Sequence, residues 1–165
     1  MNTTPIALSL LFVLTACAGS PAAPSVPRAE PASSTTTSPV AEAPEGHPIV
    51  AVIDRFLADP TPTDARAILD FTRDSPDVLV VFRQPLTDHP GADDDARPLL
   101  LAAFAAGNAK AQLEQGEKGD RPVDGVRALL TVAPKLGVRG DALERWAAAD
   151  AEGRLDEVIA SLLAE

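Results

Sequence analysis

Asp88, His89, Asp93, Asp94 and Asp95 place four carboxylates and one imidazole within eight residues, the one constellation in this 165-residue chain that could do chemistry. Carboxylate oxygens suit Ca²⁺, and His89 beside them would suit a transition metal. The same groups could serve a metal-dependent or acid/base hydrolase, which is the enzymatic alternative for this chain. Against it, the spacing is not that of an EF-hand loop, which needs alternating ligands, a central glycine and a distal glutamate. The only other histidine, His47, stands at the entrance to the folded region. Aspartates ahead of a long apolar stretch also have a structural use, because they cap free helix N–H groups and complement the helix dipole for about 0.3–1 kcal/mol each. No G-x-S-x-G elbow, P-loop, G-x-G-x-x-G or H-E-x-x-H motif is present. No residue is therefore assigned as catalytic, and no metal or diffusible cofactor is assigned.

The second reactive group is Cys17, the only cysteine. It follows Leu14-Thr15-Ala16 and closes the apolar run Ile6–Leu14, which is too short to span the roughly 30 Å hydrocarbon core of a bilayer. These four positions resemble the processing site of bacterial lipoproteins, with Leu14 at minus three, small residues at minus two and minus one, and Cys17 at plus one. The resemblance covers about a tenth of the chain. It implies a signal peptide over residues 1–16, recognised by a peptidase through Leu14, Thr15 and Ala16, and a covalent lipid on the Cys17 thiol. One departure is that Met1–Pro5 holds no lysine or arginine. Ala18 at plus two is not the aspartate that retains enteric lipoproteins in the inner membrane. The resemblance thus implies an extracytoplasmic, lipid-anchored protein, on the periplasmic side of the outer membrane if the cell is Gram-negative.

Composition agrees with a tethered domain. Residues 17–46 carry Pro21, Pro24, Pro27, Pro31, Pro39 and Pro44 among alanines, with Ser33–Ser38 between them. So little apolar surface cannot offset the entropy of ordering, and a disordered tether is expected. In polyproline II at about 3.1 Å per residue it would reach on the order of 90 Å. A formal net charge of -10 argues against nucleic acid as a partner, because binding polyanions needs clustered cations. A lone cysteine allows no internal disulfide, so the domain over residues 47–165 rests on its apolar core. The expected partners are the membrane, through the lipid, and a protein of the envelope, received by a groove or face between helices.

That domain reads as all-α, a small bundle of six or seven short helices around a central apolar helix. Ile49, Val52, Ile53, Phe56 and Leu57 recur at helical spacing in Pro48–Ala58. Thr61-Pro62 opens a second helix running to Asp74. Val78–Phe82 suits a short helix or a buried strand, and its Ser75-Pro76-Asp77 preface favours the helix. Asp94–Gln115 is the central helix, apolar all round from Leu99 to Ala106 and closed by Gly116. A helix from Pro122 follows, with a kink expected at Pro134. Asp141 and Glu144 have the spacing of a capping box for a sixth, packing Leu143, Trp146 and Ala147. Leu155 to Leu163 completes the set. The aromatics Phe56, Phe71, Phe82, Phe104 and Trp146 fall one per element, as core anchors.

Overall fold

The helix starts do what their residues dictate. His47 Nδ1 accepts from the Ile49 N–H at 3.3 Å, and Pro48 supplies a first helical residue that needs no donor. Thr61 Oγ1 accepts from the Asp64 N–H at 3.2 Å ahead of Pro62. The computed structural model describes residues 46–89 and 91–164. Leu14, Thr15, Ala16 and Cys17, with nearly all of the tether, lie outside the described residues.

Within them the chain forms α1 (Pro48–Ala58), α2 (Pro62–Asp74), α3 (Gln84–Thr87), α4 (Ala96–Gln115), α5 (Pro122–Val132), α6 (Asp141–Ala151) and α7 (Leu155–Leu163). A 3₁₀ turn, Ala133–Leu136, follows α5 without a break, and Pro134 in it accounts for the change of helix type. No strand occurs among the described residues, so the domain is all-α.

The 20-residue α4 is central because it is apolar on every side of its first half. One face sets Leu100 and Phe104 against α5, α6 and α7, in a core with Leu129, Trp146, Leu155 and Ile159. The other sets Ala102, Ala103, Ala105, Ala106 and Ala109 against α1 and α2, where Ile53, Phe56 and Ile68 are fully buried. Each such side chain contributes about 1.5–3 kcal/mol by leaving water. The alanines close-pack their neighbours, and Gly107 lets α5 come closer still. A Cβ on Gly107 would lie 2.2 Å from the Asp124 carbonyl oxygen. Gly125 is matched to the Phe104 ring in the same way, its would-be Cβ 2.8 Å from Cδ2.

Four expectations are corrected. Val78–Phe82 is neither helix nor ladder strand but an extended strap, because its backbone bonds to side chains of α4 and the following loop instead of to itself. α4 begins at Ala96 rather than Asp94. At α6 the capping position is Gly140, and Asp141 makes no side-chain cap; the helix buries Leu143, Trp146 and Ala149 while Ala147 stays exposed. Among the aromatics, Phe56, Phe104 and Trp146 are buried, whereas Phe82 is 44% exposed and only leans on Phe104, with ring centroids 6.0 Å apart.

Candidate functional site

The structure divides the Asp88–Asp95 constellation. Asp93 Oδ1 accepts from the Ala96 N–H at 2.7 Å and its carbonyl accepts from the Arg97 N–H at 3.1 Å, so Asp93 is the working cap of α4. Asp94 is exposed and lies 3.4 Å from the Arg97 guanidinium; Asp95 is exposed. Asp88 ends α3, donating its N–H to the Gln84 carbonyl at 2.9 Å. Among the described residues no three His, Cys, Asp or Glu side chains gather in a way that could hold a metal ion. Asp93 thus starts a helix, Asp88 ends one, and His89 is buried against Trp146.

His89 is 7% exposed and meets Trp146 edge-on, with centroids 6.2 Å apart and planes at 84°. Its Nε2 is buried without a hydrogen-bond partner among the described residues. Burial pushes the imidazole below its ordinary pKa of 6.5, and the neighbouring Asp88 carboxylate opposes this only in part. Burial thus favours the neutral ring, which packs against Trp146 of α6.

A cleft of about 430 Å³ opens beside it, lined by Asp88, His89, Val138, Arg139, Leu143 and Arg145 among others. That volume is in the range of ligand-binding clefts. Its wall is set by a close approach, since a Cβ on Gly91 would lie 2.9 Å from the Arg139 carbonyl oxygen. The charges of this cleft are unusual for the molecule. Every other described arginine has a carboxylate within 4 Å, whereas Arg139 and Arg145 have none among the described residues. Arg145 donates only to the Asp141 carbonyl, at 3.3 Å. The lining also holds Asp88 and Asp141, but neither carboxylate lies within 4 Å of Arg139 or Arg145, so these two guanidiniums beside Val138 and Leu143 can still grip an incoming carboxylate next to an apolar group.

A second polar assembly lies deep in the fold and holds the strap. Gln112, 1% exposed, accepts from the Leu79 N–H at 2.8 Å and donates to the Leu79 carbonyl at 2.9 Å. The same Oε1 accepts from the Gly119 N–H at 3.0 Å, and Nε2 donates to Asn108 Oδ1 at 2.6 Å. Asn108, fully buried, accepts from the Arg121 N–H at 3.0 Å and donates to Asp120 Oδ1 at 2.7 Å. Asp120 accepts in turn from the Val81 N–H at 3.3 Å. The sequence reading does not include this network. Its signal is the pair Asn108 and Gln112, two amides one turn apart in an otherwise apolar helix, which can stay buried only if something satisfies them.

Comparison of the chain with protein-family models, with curated proteins and with solved structures finds no match. No described helix is long and apolar enough to cross a membrane.

Proposed function

We propose that this chain is an extracytoplasmic lipoprotein, anchored by lipid on Cys17, whose helical domain is a binding module for a protein of the envelope. Leu14-Thr15-Ala16-Cys17 and the proline-rich stretch after it supply the argument for anchor and tether. One observation carries the binding role: Arg139 and Arg145, alone among the described arginines in lacking a carboxylate, line one cleft in a protein of net charge -10. The partner is then a protein segment that presents a carboxylate beside an apolar side chain. Val138 and Leu143 receive the apolar part.

The test is photo-crosslinking in intact cells from a probe at Asp141, an exposed residue of the cleft lining. A discrete protein adduct is expected, and Arg139→Glu with Arg145→Glu should abolish it while the variant accumulates normally. An adduct that survives both reversals, or none at all, refutes the assignment.

A further inference from the structure

The strap has the geometry of a strand and lacks a strand neighbour. Leu79 presents both its N–H and its carbonyl to the Gln112 amide, and Val81 presents its N–H to Asp120 on the same side. A residue whose two backbone groups reach one side chain is extended, and in extended chain successive residues direct these groups to opposite edges. The N–H and carbonyl groups of Val78, Val80 and Phe82 therefore lie along the other edge. Among the described residues they accept and donate no hydrogen bond. Val78–Phe82 contains no charge and no proline, the usual devices that blunt a strand edge. Leu79 at 47% and Phe82 at 44% are the two large apolar side chains most exposed in the domain.

We propose that a second copy of the chain covers this edge, the two straps pairing antiparallel about a two-fold axis at Val80. The alternation fixes the edge, and the charges at Asp77 and Arg83 select this register. Val80 then meets Val80 of the partner subunit, and Val78 meets the partner's Phe82, as hydrogen-bonded pairs made by the groups that have no partner within the domain. Leu79 packs on the partner's Val81 across the outward face. Asp77 comes opposite the partner's Arg83, and symmetry repeats the pair. Asp77 has no ion pair among the described residues, and Arg83 is 40% exposed at 3.6 Å from Asp120, so it can be shared. Moving the axis to Leu79 or Val81 keeps the free edge but sets Asp77 opposite the partner's Val81, or Arg83 opposite the partner's Leu79. Moving it to Val78 or Phe82 would set one of the two charges against an apolar residue. The chain's own tether is a poorer cover, because its six prolines between Pro21 and Pro44 remove backbone donors.

The experiment uses the full chain in detergent and follows its mass by sedimentation against protein concentration. Wild type should run as two chains. Asp77→Arg, which sets like charges against each other twice, should weaken the dimer about tenfold, and Asp77→Arg combined with Arg83→Asp should restore it. Leu79→Cys with Val81→Cys should give a disulfide-linked dimer on oxidation, since directly opposed residues of a non-hydrogen-bonded pair have Cα atoms about 4.5 Å apart. A monomer at every concentration overturns the proposal. So does charge reversal without effect or without rescue, or crosslinking from position 79 only to a different protein. These outcomes leave the Arg139 and Arg145 cleft untouched, because the two surfaces share no residue.

Discussion

Gln112 does with one side chain what a neighbouring strand would do with its backbone. Its amide meets the N–H and carbonyl of Leu79 and the N–H of Gly119 from a fully packed position. Truncation removes these bonds and leaves three backbone groups without partners, each costing about 1–3 kcal/mol where water cannot reach. We predict that Gln112→Ala lowers stability by about 2–4 kcal/mol, allowing for partial hydration, and speeds hydrogen exchange at the Leu79 amide. Urea unfolding and exchange spectroscopy measure the two effects; an unchanged midpoint would show that the strap is not held here. His89 makes the second prediction at this scale. Burial lowers its pKa in the folded protein, so below 6.5 the unfolded chain takes up a proton that the folded chain refuses. The stability contributed by the neutral ring is present above 6.5 and drains away as pH falls through the depressed folded value. Unfolding midpoints measured between pH 7.5 and 5 should fall for wild type and fall less for His89→Phe; parallel curves would exclude His89 as the cause.

The contact between α4 and α5 depends on two absent side chains. Alanine normally exceeds glycine by about 1 kcal/mol in a helix interior. At Gly107 the added methyl would meet the Asp124 carbonyl oxygen at 2.2 Å and the Ala128 Cβ at 2.5 Å, so the helices must move apart. Gly107→Ala should therefore destabilise by about 1–3 kcal/mol, against the propensity. Gly119→Ala, where the new methyl meets nothing within 4 Å, should be close to neutral. Thermal denaturation of the pair settles it, and a stabilised Gly107→Ala would mean that the helices are not in this contact. Most elements were legible because helix signals are local: Pro48, Pro62 and Pro122 sit at first positions, and Gly116 adopts the left-handed conformation, φ 65°, that ends α4. Val78–Phe82 was not. Its local preface favours a helix, and the groups that hold it extended come from Gln112, 33 residues away, and Asp120, 39 residues away.

At the scale of the molecule, the proposed anchor and the fold are separable. Among the described residues the core is built by the helical domain, with Ile53, Phe56, Phe104, Leu129, Trp146 and Ile159 in it. Cys17→Ser should therefore move the protein from the membrane to the soluble extracytoplasmic fraction, with its far-UV circular dichroism and melting temperature unchanged. Fractionation of cells and melting of the purified variant test this together. A variant that stays in the membrane would refute the lipid anchor, and one that unfolds would refute the division between anchor and domain.

The sequence alone determined the helical class, the central place of the apolar helix closed by Gly116, most helix boundaries to within a residue or two, and the use of aspartates ahead of that helix as its start. All of these follow from periodicity and capping chemistry within a turn or two of chain. Only the tertiary structure decided that His89 is buried against Trp146, that Arg139 and Arg145 share a cleft without carboxylate partners, and that Asn108, Gln112 and Asp120 hold a strap extended. Those outcomes depend on which side chains meet across the fold. Periodicity records which face of a helix is apolar, but not which distant backbone group a buried amide will satisfy.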